Sequence, residues 1–267
     1  MRETVFLFDV DGVLTDEHAR VSESVLSSII SLNVRGSAVG FVTGRSRAWL
    51  EANLIPRLTA LPGGSTVVEK APVACEMGAV RRRPGAPDWE VEPRFAVPAA
   101  LRESLRQLPK APSFAQLVEW DVSKEATATF ESIHRPDLVG HAARARAALA
   151  ELFVVVEPLA SAVGCRAQLS TYALDVLTPG LDKSVGAAFV LDELTAEGSC
   201  AAAFVFGDSA SDRLMAVTAV ERGFDAVEFC WVGSTAPPSI ARVQTRKSEL
   251  PHAEGTEALL RSIIGDT

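Results

Sequence analysis

VFLFDVDGVLTD, residues 5–16, joins an apolar run to a pair of aspartates and a glycine. Val5–Phe8 has the composition of a strand buried on both faces, as in a parallel sheet covered by helices. Asp9 and Asp11 follow where that strand ends, on either side of Val10. Residues i and i+2 of an extended chain point the same way, so both carboxylates are expected to face one small volume. A cation, or a proton on one of them, is needed to offset their repulsion.

Further segments of the same kind predict the architecture around this strand. Ser22–Asn33 carries apolar residues at helical spacing, with Ser22 placed as the N-cap, and a second apolar strand follows at Val39–Val42. Strand, helix and strand at this spacing predict a βαβ unit. The pattern recurs near the end of the chain, as helix Lys183–Leu194, strand Ala202–Phe206, helix Asp212–Ala219 and strand Phe229–Val232. We therefore predict an α/β fold with a doubly wound parallel sheet.

The middle of the chain differs in composition and predicts a second domain. Residues 81–98 are rich in proline and charge, which marks a crossing between units. The predicted elements that follow are helices Ala99–Leu108 and Gly140–Leu152, strand Phe153–Val156 and the alternating segments Ala126–Ile133 and Tyr172–Leu177. This set is large enough for its own core. We predict a core domain of residues 1–82 and 179–267 and an inserted α/β domain of residues 83–178.

Composition limits the classes of protein that the sequence can encode. The 267 residues are 48% hydrophobic and 22% charged, with a formal charge of −8 at pH 7. This balance is typical of a soluble protein and argues against nucleic-acid binding, because phosphate backbones are held by clustered Lys and Arg. No stretch approaches the ~20 apolar residues that span a bilayer. We expect a soluble, cytoplasmic protein that is complete from its first residue and binds neither nucleic acid nor membrane.

The cysteines indicate neither a zinc site nor a disulfide framework. They lie far apart without CxxC spacing, at Cys75, Cys165, Cys200 and Cys230. A reduced setting is therefore expected.

A second pair of acids follows another buried strand. Asp208 comes directly after Gly207, and Asp212 lies one helical turn later, on the same face of the predicted helix start. Ligands of open parallel sheets bind beyond the carboxyl ends of the strands. Hard divalent cations take oxygen ligands, and magnesium combines a few carboxylates with phosphate oxygens. The four carboxylates of Asp9, Asp11, Asp208 and Asp212 thus predict a Mg²⁺ site.

Groups suited to phosphate lie at two further element ends. Thr43 follows a buried strand, and Gly44 after it allows a ligand to approach the backbone closely. The Thr43 hydroxyl and the following N–H groups can receive phosphate oxygens. Lys183 opens a predicted helix, where an ammonium group and free N–H groups both favour an anion. Anion-binding groups beside an acidic metal site predict phosphoryl transfer.

These segments together resemble a known superfamily. DVDGVLTD, the TGR of residues 43–45, Lys183 and GDSASD resemble, in that order, the four motifs of haloacid dehalogenase (HAD) superfamily phosphatases. The insertion, preceded by CEMGAV, resembles the type IIB α/β cap of the branch with Cof-like proteins, trehalose-phosphate and sucrose-phosphate phosphatases and phosphomannomutases. The resemblance implies a Rossmann-like HAD core with an inserted α/β cap that selects the substrate.

The resemblance also implies roles for individual residues. Asp9 would be the nucleophile that forms an aspartyl-phosphate, and Asp11 the acid that protonates the leaving alcohol and then activates water. Asp208 would bind the metal, Asp212 would hold that ligand in place, and the backbone carbonyl of Asp11 would add an oxygen. Many relatives carry Asn where this chain has Ser211, so the surroundings of the metal are expected to differ there.

Two more residues are candidates for substrate contact. Arg45 either reaches the substrate or forms a surface salt bridge. Lys124 is placed on a strand of the inserted domain that faces the active site, with a solvated or packed side chain as the alternative.

The sequence thus predicts a magnesium-dependent phosphatase of small phosphorylated metabolites, with sugar phosphates the favoured class. One alternative is a phosphomannomutase-like phosphosugar mutase that uses the same Asp9 and Asp11, although TGRS differs from the glycine-rich segment usual in mutases. The other is a receiver-like module that binds phosphate without turnover, which the intact acids and the long insertion disfavour. Neither the particular substrate nor the oligomeric state is predicted.

Overall fold

The computed structural model describes residues 4–135, 137–170, 172–196 and 201–265. The chain divides into two compact units, one of Met1–Glu90 with Asp182–Thr267 and the other of Val91–Leu181. The sequence placed the two boundaries at 82/83 and 178/179. That the first unit is catalytic and the second a substrate-selecting cap stays a prediction.

The strands and helices are numbered in chain order. The strands are β1 (Thr4–Phe8), β2 (Ala38–Val42), β3 (Val73–Cys75), β4 (Val80–Arg82), β5 (Glu90–Val91), β6 (Val118–Trp120), β7 (Ala128–Ser132), β8 (Arg166–Leu169), β9 (Ala173–Leu177), β10 (Ala202–Gly207), β11 (Ala226–Trp231) and β12 (Gln244–Lys247). The helices are α1 (Glu23–Val34), α2 (Arg47–Asn53), α3 (Ile55–Ala60), α4 (Gly64–Lys70), α5 (Ala99–Leu105), α6 (His141–Ser161), α7 (Lys183–Thr195), α8 (Arg213–Glu221) and α9 (His252–Gly265). Short 3₁₀ helices lie at Glu76–Gly78, Pro93–Phe95 and Leu108–Lys110.

An eight-stranded sheet has the order β12-β11-β10-β1-β2-β3-β4-β5, and all of its residues except Val91 of β5 belong to the first unit. β1 lies inside this sheet and pairs in parallel with β10 on one side and β2 on the other. β11, β12 and β3 continue the parallel pairing, whereas β4 runs antiparallel to β3. The structure confirms the predicted α/β fold with a mostly parallel sheet. The carboxyl ends of β1, β2 and β10 consequently meet at one edge.

Aromatic side chains join the central strands. Phe6 lies in register with Phe204, and their ring centroids are 5.0 Å apart. Phe8 lies in register with Phe206, with centroids 4.8 Å apart. Stacked rings of this kind add about 0.5–1.5 kcal/mol to the burial of their area. The register between β1 and β10 therefore has side-chain support as well as backbone hydrogen bonds.

Several helix predictions are confirmed, including the cap of α1. The backbone N–H of Val25 donates to the Ser22 hydroxyl, as expected of an N-cap serine. The helix predicted over 99–108 is shorter, because α5 ends at Leu105 and a separate 3₁₀ turn begins at Leu108.

The second unit contains a four-stranded antiparallel sheet in the order β6-β7-β9-β8. Side chains from α5 and α6 form one apolar cluster with this sheet. The strand predicted at Phe153–Val156 is wrong, because these residues continue α6. Leu149, Leu152, Val156 and Ala160 are buried at helical spacing, so packing of one helix face outweighs the strand propensity of three consecutive valines.

The described cysteines and helices can be compared with what the composition predicted about disulfides and membrane spans. Cys75, Cys165 and Cys230 are free thiols, and Cys200 lies outside the described residues. Among the helices of the described chain, none has the length and apolar character needed to cross a membrane.

Gly40 offers a test of the packing between β2 and α7. A Cβ added there would lie 2.3 Å from Cγ1 of Val190 and 3.2 Å from Cδ1 of Leu194, both on α7. Gly40→Ala is therefore expected to lower the free energy of unfolding by about 1–3 kcal/mol, because overpacking displaces the helix. The measurement is the urea midpoint followed by circular dichroism.

The matched control for this substitution is Gly265→Ala, at the end of α9, where an added Cβ has no neighbour within 4 Å. Its midpoint should not fall below that of the wild type, because alanine is a better helix former than glycine. Equal midpoints for Gly40→Ala and Gly265→Ala would contradict the close approach of α7 to β2.

Candidate active site

The side chains singled out in the sequence lie at the ends of neighbouring elements of the first unit. Asp9 follows β1, Thr43 follows β2, Asp208 follows β10 and Lys183 begins α7. Because β10, β1 and β2 are adjacent and parallel, segments far apart in the chain meet at one edge of the sheet.

Three of the four predicted carboxylates form one cluster. Asp9, Asp208 and Asp212 each offer a carboxylate oxygen within 4.8 Å of the others. One oxygen of Asp212 accepts hydrogen bonds from the N–H groups of Asp208, at 3.0 Å, and Ser209, at 2.8 Å. The same oxygen accepts from the Ser209 hydroxyl at 2.9 Å. Asp212 is thus a buried anchor that holds the loop carrying Asp208, and the sequence did not single out Ser209 for this contact.

Lys183 joins the acids of the cluster. Its ammonium group lies 2.8 Å from Oδ2 of Asp9 and also forms an ion pair with Oδ1 of Asp212. All three side chains are at most 5% exposed. Burial on its own lowers the pKa of Lys183, but the carboxylates of Asp212 and Asp9 outweigh it and raise that pKa above its usual value. Lys183 therefore stays charged at neutral pH.

The cluster retains more negative charge than Lys183 can neutralise. Burial, followed by the charges of neighbouring acids, raises the pKa of Asp9 well above its usual range. Burial and the charge of Asp212 raise the pKa of Asp208 to about 7. A cation placed among these oxygens would offset both effects.

Asp9 supplies a direct test of whether the site fits a metal ion. Its Oδ2 accepts from Lys183, whereas its Oδ1 is buried and has no hydrogen-bond partner. A buried carboxylate oxygen without a partner is unfavourable by about 1–3 kcal/mol or more. The donor set of carboxylate oxygens is the type that hard divalent cations prefer. The residues present therefore fit a divalent cation.

Gly12 gives Asp208 the space it occupies. The backbone of Gly12 has a φ of +65°, and a Cβ added there would lie 2.1 Å from Oδ2 of Asp208. Its N–H donates to the Thr15 hydroxyl at 3.0 Å, which closes the turn after β1. Glycine is required at this position both by the left-handed conformation and by the approaching carboxylate.

The Asp11 carboxylate is not among the oxygens that lie within 4.8 Å of one another, although its charge acts on Asp9 and Asp208. Its two carboxylate oxygens accept from Nε of Arg45, each at 2.9 Å, and Oδ1 also accepts from a terminal guanidinium nitrogen at 2.8 Å. The guanidinium also lies over the ring of Trp49, 4.9 Å from its centroid. The four-carboxylate group expected from the sequence thus contains three side chains, and the salt bridge considered for Arg45 is made with Asp11.

The residues expected to bind phosphate lie beside β2. Thr43 is buried, and its hydroxyl oxygen accepts from the N–H of Arg45 at 3.1 Å, which leaves the hydroxyl hydrogen to donate. A Cβ on Gly44 would lie 3.1 Å from Cε of Met77, so an added side chain would be crowded there.

Lys124 is not on a strand, contrary to the sequence prediction. It lies in the second unit, in the segment between β6 and β7, and its side chain is buried. Its backbone carbonyl accepts from the Arg102 guanidinium at 2.7 Å. The strand that the alternating pattern predicted begins after Lys124, because β7 starts at Ala128.

Known proteins resemble this chain in structure rather than in sequence. No family model and no curated protein matches the sequence. Trehalose-6-phosphate phosphatase of Aspergillus fumigatus is 18% identical, with a TM-score of 0.56, over 100% of this chain and 94% of that one. The C-terminal domain of the C. albicans enzyme is 15% identical, with a TM-score of 0.69, over 100% and 94%. A haloacid dehalogenase-like hydrolase from Bacteroides thetaiotaomicron is 14% identical, with a TM-score of 0.62, over 97% and 99%.

The fold is therefore that of the haloacid dehalogenase-like hydrolases, a parallel α/β core with a separate antiparallel sheet. Among the solved structures that share it, trehalose-6-phosphate phosphatases align along the whole of this chain.

Gly12→Ala tests the position of Asp208. The new methyl group would displace the Asp208 carboxylate, so we expect the affinity of the cluster for a divalent cation, measured with Mg²⁺ by isothermal titration calorimetry, to fall about 10- to 100-fold. The control is Gly36→Ala, which also has a positive φ, of +91°, but no neighbour within 4 Å of the added Cβ. Gly36→Ala should lose stability, by about 1 kcal/mol, without losing Mg²⁺ affinity. An equal loss of affinity in both variants would contradict the steric explanation.

Proposed function

We propose that this protein is a magnesium-dependent phosphomonoester hydrolase that acts on small phosphorylated metabolites of the sugar-phosphate type. The observation that carries the proposal is the state of Asp9, whose buried carboxylate holds Lys183 with one oxygen and leaves the other without a partner. Two oxygens in different environments allow Asp9 to serve both as a ligand of the cation and as the nucleophile, and the fold shared with haloacid dehalogenase-like hydrolases supports the assignment.

The proposed reaction uses the chain's own groups in two steps. In the first, an oxygen of Asp9 bonds to phosphorus, the bond to the leaving oxygen breaks, and Asp11, which begins the cycle protonated, gives that oxygen its proton. In the second, Asp11 takes a proton from water, the water oxygen bonds to phosphorus, and the bond to Asp9 breaks. Inorganic phosphate leaves, and both aspartates return to their starting states.

Binding and charge stabilisation are assigned to the groups around Asp9. The Thr43 hydroxyl and the N–H of Gly44 would donate to phosphoryl oxygens, and Lys183 would offset their charge. Asp9, Asp208 and the carbonyl of Asp11 would hold Mg²⁺, with Asp212 fixing the loop of Asp208. When bound, the ion supplies positive charge that makes attack by one anion on another feasible.

The second unit is assigned the choice of leaving group. Its sheet and helices form a core of their own, as expected of an inserted domain that can vary without disturbing the catalytic residues. The partners proposed for the protein are small phosphorylated metabolites, and the proposed location is the cytoplasm.

Phosphate release from a panel of sugar phosphates, with Mg²⁺ and with EDTA, tests the proposal. We expect Mg²⁺-dependent release by the wild type and a loss of about 10³-fold or more in Asp9→Asn, because an amide oxygen is a poor nucleophile. The control is Asp192→Asn, which changes an exposed aspartate paired with Arg222 and should keep full activity.

Other outcomes would identify the rival functions. Formation of an isomeric sugar phosphate without inorganic phosphate would indicate a mutase. Phosphate binding without turnover of any phosphomonoester would indicate a binding module. Equal activity of wild type and Asp9→Asn would contradict the assigned nucleophile.

A further inference from the structure

We propose that Arg45 is a positioning residue that keeps the carboxylate of Asp11 out of the metal-binding cluster. The inference rests on the proposed function, because it explains how two aspartates of one motif acquire different roles. It concerns the side chain of Asp11, which the sequence placed beside Asp9 and the structure places on Arg45.

Arg45 and Asp11 meet in a two-pronged geometry. A planar guanidinium that donates to both oxygens of a carboxylate fixes its direction as well as its distance, which a single ammonium group does not. Arg45 donates to Asp11 three times at 2.8–2.9 Å. The Asp11 carboxylate is therefore held by orientation-dependent contacts rather than by proximity alone.

Arg45 is itself held in place by its backbone and by an aromatic ring. Its N–H donates to the Thr43 hydroxyl at 3.1 Å, and its carbonyl accepts from the N–H of Glu76 at 3.0 Å. Trp49, the third residue of α2, presents its ring to the guanidinium. The backbone is thus fixed on both sides and the side chain is supported by an aromatic face, so Arg45 is suited to holding another group in place.

Arg45 competes with a bound divalent cation for the carboxylate of Asp11. A carboxylate two residues from Asp9 would be attracted to any divalent cation in the cluster, because added carboxylates raise the affinity of such sites. An acid that ligates the metal through its side chain is less able to exchange a proton with a leaving oxygen. Pairing with Arg45 leaves the Asp11 side chain 43% exposed, where it can reach a substrate.

Calorimetric titration with Mg²⁺ tests the proposal without any substrate. In Arg45→Gln, the released Asp11 carboxylate is expected to join the cluster and tighten Mg²⁺ binding about tenfold. Asp11→Asn alone should bind like the wild type, and the double variant should bind like Asp11→Asn. The tightening would then depend on Asp11, which a double-mutant cycle measures. Arg45→Lys, which keeps the charge but not the two-pronged contact, should lie between wild type and Arg45→Gln.

The control for long-range charge is Arg47→Gln, which removes a cation two positions away that lies 3.8 Å from Glu51. If Arg47→Gln tightens Mg²⁺ binding as much as Arg45→Gln, or if the gain persists in the double variant, the positioning role is overturned. No change of affinity in Arg45→Gln overturns it as well.

Leaving-group dependence supplies a second readout. Arg45→Gln should lower kcat for an alkyl phosphate about 10- to 100-fold and for p-nitrophenyl phosphate less than about threefold, because only the poorer leaving group needs a proton. Equal losses would overturn the proposal.

A wild type that binds Mg²⁺ but hydrolyses neither compound contradicts the proposed function, whereas the titration still decides the position of Asp11. A wild type without Mg²⁺ binding overturns both.

Discussion

The salt bridges of Lys183 with Asp9 and Asp212 are the interaction on which the site depends. Taking an ion out of water costs several kcal/mol, so carboxylates buried this close need a cation among them. Lys183 supplies it from the first position of α7, a helix that packs on β2 and β3. The place of the ammonium group is thus set by the hydrophobic core. Because one ammonium group cannot pair with every oxygen of three carboxylates, a bound divalent cation would stabilise the folded protein further.

Glycines, which have no side chain, let the acid-bearing loops approach one another this closely. An added Cβ on Gly207 would lie 2.3 Å from Cβ of Asp212, and one on Gly233 would lie 2.3 Å from the carbonyl oxygen of Asp208. With Gly12, three glycines therefore surround the two acids that follow β10. At these glycines the backbone itself packs against the two acids, so a side chain added at any of them would displace an acid directly.

The sequence predicts this fold well because its buried strands are nearly all apolar and its site residues lie where those strands end. It mispredicts Phe153–Val156, since three β-branched residues indicate a strand locally while the burial of Leu149, Leu152 and Val156 depends on the whole length of α6. Propensity is local, whereas burial is decided by the sheet that the helix covers. The prediction that Lys124 lies on a strand is wrong for a similar reason, because an alternating pattern does not show at which residue a strand begins.

The partners of charged side chains are harder to predict than helices and strands, because a long side chain can reach several partners. Arg81, Arg82 and Arg83 form a cationic run in the sequence, yet Arg82 donates to the carbonyl of Val68, Arg83 pairs with Glu193, and Arg81 lies over the Phe189 ring. The pairing of Asp11 with Arg45, in contrast, can be derived from the topology of the sheet. β1 and β2 are parallel neighbours with Phe8 beside Phe41, so Asp11 comes three residues and Arg45 four residues after paired positions. Strand order, once known, therefore brings these two side chains together, and the pairing follows from topology rather than from the charges alone.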